Sequence, residues 1–246
     1  MLGHYETIVT CKAVNRERKG ENEMAKNIKI EPIKETTMSV KLVGDTDLIL
    51  NGRSRQYVMS EVWKQSHDKG SEMPAIYRQS KNMWEQRITS IHWKNPIEYH
   101  DDDISLYTEE EWNKYMNENQ PCILAMAFAK SFKECFLTFF RDSTGKKGTD
   151  LSRALNMGGS VFPIDFASVR IEDSIVPTTG LGSTSVISSV NVFSGWSCEI
   201  VVSCADIVFP PETLVSIINT AGKYIGIGTQ RSNGFGRYHI ESIKAI

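Results

Sequence analysis

Residues 226–239 read GIGTQRSNGFGRYH, and this glycine-rich stretch is the most informative part of the chain. Its glycines are Gly226, Gly228, Gly234 and Gly236. Glycine adopts positive φ angles and lets a backbone approach a ligand closely, and exposed N–H groups in such loops form anion-binding concavities. Arg231 and Arg237 add guanidinium groups that pair with phosphate. Phe235 and Tyr238 offer rings for base stacking, worth about 1–3 kcal/mol per base.

Besides a phosphate-binding loop, these glycines allow three other interpretations: a dinucleotide-binding motif, a Walker motif and a purely structural hairpin. The dinucleotide-binding pattern G-x-G-x-x-G follows a strand and opens a helix, whereas these glycines follow a predicted helix and lead into the last strand. The Walker pattern requires Gly-Lys-Ser/Thr, which does not follow these glycines. The remaining alternative is a glycine-rich hairpin that only packs on its own helix.

The helix predicted before the glycine stretch begins near Pro210, because proline is favoured in the first turn. Its apolar stripe consists of Leu214, Ile217, Ile218 and Ala221. Gly222 is predicted to cap this helix. A last strand is predicted over residues 237–243.

A longer helix is predicted over residues 123–140. Its apolar face is wide and includes Phe128, Cys135 and Phe139, which indicates that the helix is well buried. A short helix over residues 149–157 should follow it, because two glycines come directly after that range.

Alternating patterns predict the strands and, with the helices, the order of the elements. Met38, Val40 and Leu42 alternate with polar residues in a first strand. Further strands are predicted over 160–171, 185–193 and 196–205. Without an insertion at residues 45–120, the order is β-α-β-β-α-β, the ferredoxin-like pattern. The predicted fold class is α+β, with a ferredoxin-like (RRM-like) core and a large, mostly helical insertion.

The chain has 246 residues, 28 basic against 30 acidic side chains, and a formal net charge of −2. This balance excludes the strongly basic composition of the simplest nucleic-acid binders. Residues 52–95, however, carry eight basic and four acidic side chains, interleaved with tyrosine and tryptophan, whereas residues 98–118 carry eight acidic and one basic. The first stretch predicts a local basic groove. The alternative is a solvated helical face with tryptophans in the core.

The five cysteines include no C-x-x-C pair, which is typical of reduced, buried thiols in a cytosolic protein. No apolar run of about 18 residues is present, so no membrane-spanning helix is expected. Residues 1–23 lack the apolar core of a secretory signal. Residues 1–27 are predicted to be a flexible extension and residues 28–246 a single domain. The expected location is the cytoplasm.

These motifs resemble those of one known family. The helix, the pattern G-I-G-x-x-R-x-x-G-F-G and the last strand resemble the glycine-rich loop of the RAMP superfamily, the RNA-binding proteins of CRISPR effector complexes. A looser match is SFKECFL at residues 131–137, where Cas7-like members carry a Ser-x-x-Lys-Gly-type helix. Here Lys133 follows Ser131 by two residues, and the glycine is missing. The chain also looks similar to uncharacterised proteins of tailed bacteriophages.

The resemblance implies a Cas7-like scaffold that binds RNA or single-stranded DNA, as a homo-oligomer or within a nucleoprotein complex. A phage-encoded relative would act in the host cytoplasm. No cofactor, metal ion or membrane partner is expected, whereas the preference for RNA or DNA and the oligomer size stay open. The residues expected to contact nucleic acid are Gly226, Gly228, Arg231, Gly234, Phe235, Gly236, Arg237, Lys130, Lys133, Arg53 and Arg55.

The resemblance leaves catalysis open, although the protein is expected not to be an enzyme. Cas6-like members cleave RNA without metal, commonly with a histidine near an early helix, and no histidine here maps to that position. The histidines interpreted as structural or surface residues are His67, His92, His100 and His239. Some Cas7-like proteins cleave RNA with a loop aspartate; the candidates are Asp45, Asp47 and Asp173. The alternatives are a Cas6-like metal-independent endoribonuclease and a protein that binds a nucleotide or small ligand.

Overall fold

The alternating segment around Met38 forms an inner strand of the main sheet, with a paired strand on each side. The computed structural model describes residues 32–74, 82–177 and 185–246, so the predicted N-terminal extension lies outside the described residues. Strand β1 spans Glu35–Gly44, and Met38, Val40 and Leu42 are buried as the period of two predicts.

All strand pairs in the main sheet are antiparallel. In spatial order the strands are β10 (Tyr238–Ala245), β1, β9 (Ser197–Ala205), β6 (Val161–Asp165), β4 (Pro121–Leu124) and β3 (His92–Trp93), with β5 (Leu155–Met157) paired to β9. The two core helices, α4 (Ala125–Cys135) and α7 (Pro211–Tyr224), pack against each other and share one core with this sheet.

The arrangement of these elements is ferredoxin-like. Helix α4 lies in the connection from β1 to β6, and α7 lies in the connection from β9 to β10. The four strands lie side by side in the order β10-β1-β9-β6. The predicted α+β fold with a β-α-β-β-α-β core is therefore confirmed.

A second, smaller sheet carries strands in the order β2 (Leu48–Leu50), β8 (Ser185–Ser194) and β7 (Ser168–Pro177). Strands β7 and β8 form a hairpin whose connecting residues lie outside the described ranges. Leu48 and Phe193 are fully buried in the same core cluster as the main sheet. The small sheet is thus packed onto the ferredoxin-like core.

The predicted boundaries of two helices are wrong, because short strands adjoin them. Residues 123 and 124 belong to β4, which pairs with β6, and α4 begins only at Ala125. A π-helical turn, Phe136–Phe140, and a short helix α5, Arg141–Thr144, continue α4. Helix α6 spans Gly148–Ala154, and the residues after it form β5. Periodicity alone does not separate a short buried strand from a helix end.

The predicted cap at Gly222 is also wrong, because α7 continues through this residue to Tyr224. Gly222 is buried, and a Cβ atom there would lie 2.2 Å from the carbonyl oxygen of Tyr238. The glycine therefore serves the close approach of β10 to the helix rather than its termination.

In the described part of residues 45–120, the α-helices are α1 (Arg55–Ser66), α2 (Met83–Thr89) and α3 (Glu109–Glu118). The Thr108 side chain accepts a hydrogen bond from the Glu111 N–H and caps α3. Trp84 and Trp112 pack together around a second core cluster with Ile88 and Tyr107. None of the helices in the described ranges is long and apolar enough to cross a membrane.

Candidate functional site

The glycine loop between α7 and β10 turns tightly enough to bring three backbone segments together. Gly226, Gly228 and Gly236 have φ angles of 75°, 78° and 68°. A Cβ atom at Gly228 would lie 2.5 Å from the Ile49 carbonyl oxygen, and one at Gly236 only 2.0 Å from the Ile227 carbonyl oxygen. These glycines are therefore required for close backbone packing, the plainer of the two roles predicted for them.

Several N–H groups of the loop are bonded within the protein. Ile227 donates to the Gly236 carbonyl at 3.0 Å, Gly236 donates to the Asp47 carbonyl at 2.8 Å, and Thr229 donates to the Ile49 carbonyl at 3.0 Å. Such N–H groups do not face an anion. Gly234 differs from the other glycines, because nothing lies within 4 Å of a Cβ atom placed there.

Arg237 in the loop has incomplete hydrogen bonding. Its Nη2 donates to the Arg231 carbonyl oxygen at 3.3 Å, whereas its Nη1 is buried and has no hydrogen-bond partner. No carboxylate among the described residues pairs with this guanidinium. A buried donor without an acceptor costs about 1–3 kcal/mol, and more when it is charged. An anionic oxygen would remove that cost.

Helix α4 runs beside the loop and brings further cations to it. The Ser131 hydroxyl donates to the Gly226 carbonyl oxygen at 2.8 Å, and Arg231 Nη1 lies 2.9 Å from Glu134 Oε2. Lys130 precedes Glu134 by four residues and therefore lies on the same face of the helix. The structure thus brings Lys130, Arg231 and Arg237 to one region.

The surface from α4 to the start of α6 is basic. Residues 125–148 contain five basic and two acidic side chains. Each of the two acids already pairs with an arginine: Glu134 with Arg231 and Asp142 with Arg141. Within the described ranges, no carboxylate pairs with the four lysines of this segment, which are Lys130, Lys133, Lys146 and Lys147.

The basic stretch at residues 52–95 is largely engaged within the protein. Arg55 donates from Nε and Nη2 to the two carboxylate oxygens of Asp101, at 3.1 and 2.8 Å. This pairing lowers the pKa of Asp101. Arg53 lies 5.4 Å from the centre of the Tyr57 ring and is exposed. Of the two arginines predicted to contact nucleic acid here, Arg53 is therefore the more accessible.

Arg87 forms a network that sequence reasoning missed. Its Nε donates to the Ser189 hydroxyl at 2.7 Å, and its Nη2 lies 3.0 Å from both carboxylate oxygens of Asp173. The Ser189 hydroxyl and Arg87 lower the pKa of Asp173. This cleavage candidate therefore joins α2 to the β7–β8 hairpin. The apolar residues around Arg87 in the sequence predicted burial of a helix face but not its partner, 86 residues away.

The two rings predicted for base stacking are not free. Tyr238 is buried in the main core, and burial raises the pKa of its hydroxyl. Phe235 is partly buried against the cluster of Ile49, Val190 and Val192. The expectation that both rings face a ligand is wrong for Tyr238, because alternation along β10 points its side chain toward α7.

Two exposed aromatic rings lie elsewhere on this surface. Phe139 and Tyr224 are 48% and 51% exposed, and their ring centres are 5.4 Å apart. Phe139 was expected on the buried face of a regular helix, but it lies in the π-helical turn at Phe136–Phe140. The wider turn shifts the face of every later residue. Phe136 is consequently buried while Phe139 is exposed.

Two histidines and two aspartate candidates are paired with other side chains. His239 Nδ1 lies 2.6 Å from Asp45 Oδ1 on the exposed surface beside the loop. His100 Nε2 lies 2.7 Å from Glu111 Oε1, and Asp47 pairs with Arg170. Among the described residues, no three His, Cys, Asp or Glu side chains are grouped so that they could hold a metal ion.

One small cavity lies between α1, α2 and the segment before α3. Arg55, Glu85, His100, Asp101 and Tyr107 are among the residues that line it. The volume of this cavity that is open to solvent is about 20 Å³. This volume holds one or two water molecules. A nucleotide does not fit in this space.

No protein-family model matches the chain, and no curated protein matches it by sequence. Two solved structures are similar in backbone arrangement. One is a chain of type III-B Cmr-beta bound to cognate target RNA, with 12% identity and a TM-score of 0.43 over 87% of this chain and 61% of that one. The other is Cmr6 from Pyrococcus furiosus, with 11% identity and a TM-score of 0.41 over 85% of this chain and 98% of that one.

Proposed function

We propose that this protein binds RNA or single-stranded DNA through the backbone phosphates, as a Cas7-like scaffold in an oligomer or nucleoprotein complex. The observation that carries this proposal is Arg237, whose buried Nη1 has no acceptor. A phosphate oxygen would supply one, and charge-assisted bonds between arginine and phosphate are among the stronger hydrogen bonds in proteins.

The charge distribution supports a polyanion as the ligand. Lys130 and Lys133 on α4 have no carboxylate partner among the described residues, and the same helix contacts the loop through Ser131 and Glu134. Local positive charge is sufficient for a protein to track a phosphate backbone, even when the whole chain is slightly acidic. The resemblance of the glycine loop to that of RAMP proteins points to the same ligand class.

The test is a fluorescence-anisotropy titration of labelled single-stranded RNA and DNA at low salt. Arg237→Ala should weaken binding about tenfold or more, and Lys130→Ala/Lys133→Ala should reduce the salt dependence, with about 0.7 of slope lost per phosphate contact. Lys41→Ala is the matched control, because Lys41 is an exposed lysine that pairs with Glu241 on the sheet. Absence of binding, or equal binding by all variants, would refute the proposal.

A second candidate function is metal-independent RNA cleavage, which one observation favours. His239 Nδ1 lies 2.6 Å from Asp45 Oδ1, and a carboxylate at this position orients an imidazole so that its other nitrogen faces outward as a general base. Arg237 lies two residues earlier on the chain and could stabilise charge on a phosphate. Structured RNA incubated with the protein in EDTA should be cleaved, and His239→Ala should abolish cleavage. Intact RNA with the unmodified protein rules this function out.

A further inference from the structure

Phe139 and Tyr224 form a pair of exposed rings that the core does not require. Each ring is about half exposed, the centres are 5.4 Å apart, and the ring planes are inclined by 43°. Phe139 belongs to the π-helical turn after α4, and Tyr224 is the last residue of α7. Two large neighbouring rings at the surface mark an interaction site more often than scattered apolar side chains do.

The ring pair adjoins the loop of the proposed phosphate site. Tyr224 precedes Gly226 by two residues, and Gly226 accepts the hydrogen bond from Ser131. Arg231 of the loop pairs with Glu134, one turn farther along α4. Helix α4 therefore contacts the start of the loop and its arginine, and the π-helical turn that continues α4 carries Phe139.

The charges around the rings favour a polyanion over another apolar surface. Lys223 Nζ lies 5.3 Å from the centre of the Tyr224 ring. Lys146 and Lys147 follow Phe139 by seven and eight residues and pair with no carboxylate among the described residues, and Lys146 Nζ lies 5.7 Å from the centre of the Phe209 ring. Arg141 and Asp142 pair with each other. A protein–protein interface is depleted in lysine, whereas rings interleaved with lysines are typical of single-strand binding.

We infer that Phe139 and Tyr224 form a stacking platform for the unpaired bases of a single-stranded polynucleotide whose phosphates bind Arg237 and the lysines of α4. This inference rests on the proposed function and adds to it the requirement for unpaired bases. A duplex keeps its bases stacked inside, so its bases do not reach the rings. RNA and DNA bases share the same π faces, and the platform therefore accepts both.

The experiment measures binding of a single strand that carries 2-aminopurine, whose fluorescence is quenched when it stacks. The unmodified protein should quench it, and Phe139→Leu/Tyr224→Leu, which keeps apolar volume but removes the rings, should lose quenching and about tenfold in affinity. RNA and DNA strands form the two arms. Tyr99→Ala is the matched control, because Tyr99 is also an exposed ring beside an arginine, Arg55, but lies in the acidic stretch. Its binding should be unchanged.

Three possible results distinguish failure of the proposed function from failure of the stacking platform. If the unmodified protein binds no nucleic acid, the proposed function and the platform both fail. If it binds and the leucine variant binds and quenches equally, the platform alone is wrong. If a duplex of the same sequence competes as well as the single strand, or if the leucine variant changes only self-association in sedimentation, the rings do not bind unpaired bases. Circular dichroism of each variant verifies that the fold is retained.

Discussion

At the scale of single residues, Arg87 and Asp173 show how differently two partners of one ion pair are placed. The Arg87 side chain is 10% exposed, whereas that of Asp173 is 52% exposed. Arg87 also lies over the Trp84 ring, 4.2 Å from its centre. Loss of the carboxylate therefore leaves a buried positive charge, which is costly, whereas loss of the arginine leaves a carboxylate that water can solvate.

We expect Asp173→Asn to lower the free energy of unfolding by about 2–3 kcal/mol at neutral pH, below the 3–5 kcal/mol of a fully buried pair. The double variant Arg87→Met/Asp173→Asn should recover part of this loss, because it removes the buried charge. Urea unfolding of the unmodified chain and both variants measures these values. A double variant less stable than Asp173→Asn would contradict the argument.

The same pair predicts a pH dependence. The pKa of Asp173 is lowered in the folded protein by the Ser189 hydroxyl and by Arg87. A lowered pKa contributes stability above the unfolded pKa, about 3.9, that is lost as the pH falls toward the folded pKa. The stability difference between the unmodified chain and Asp173→Asn should therefore be constant near neutral pH and shrink below about pH 4. A difference that grows on acidification would refute this assignment.

The four cysteines among the described residues should be unreactive toward thiol reagents in the folded protein. Burial raises the pKa of Cys122, Cys135 and Cys204 to about 11 and that of Cys198 to about 12. Because the thiolate is the reactive form, these thiols should resist Ellman's reagent at neutral pH in the native protein and all react after unfolding. The assay uses Cys11→Ser, since Cys11 lies outside the described residues. A fast-reacting thiol in the folded variant would contradict the burial.

At the scale of elements, two glycines of the loop are needed for different reasons: Gly236 for its backbone angle and close packing, Gly234 for its backbone angle alone. At Gly236 both a φ of 68° and a carbonyl oxygen 2.0 Å from the Cβ position exclude a side chain. At Gly234 the φ of 89° is unfavourable, but the space around it is empty. The sequence pattern predicted the tight turn, and only the contacts show which glycine is closely packed.

Gly236→Ala should destabilise the protein by about 2–5 kcal/mol, the sum of a left-handed backbone and a steric clash. Gly234→Ala should cost only about 1–2 kcal/mol, because the backbone term alone remains. Thermal or urea unfolding measures both, and each variant is the control for the other. Similar losses in the two variants would show that packing at Gly236 is not the reason for its glycine.

At the scale of the whole molecule, the two sheets and the inserted helices share buried contacts. Leu48 and Phe193 of the small sheet lie in the main core, and Trp112 Nε1 donates to the buried Asn191 Oδ1 at 3.0 Å. Helix α3 is thereby joined to β8.

The formal net charge of −2 hides a basic surface on α4, because the acidic stretch at residues 98–118 offsets it.

This shared core predicts one cooperative unfolding transition. Tryptophan fluorescence and far-ultraviolet circular dichroism should give coincident denaturation curves. In Trp196→Phe the remaining tryptophans all lie in residues 45–120, so their fluorescence reports on that segment alone and should still follow the dichroism curve. An earlier fluorescence transition in this variant would show that the inserted helices unfold independently.

The order of the elements was readable from the sequence, because periods of 2 and 3.6 depend on neighbouring residues. Those patterns sufficed for the ferredoxin-like core. The tertiary structure alone decided which cations and rings are accessible, since Arg87 meets Asp173 86 residues away and Arg231 meets Glu134 97 residues away. It also decided that a π-helical turn exposes Phe139. Burial and pairing depend on partners distant along the chain, and no local pattern encodes them.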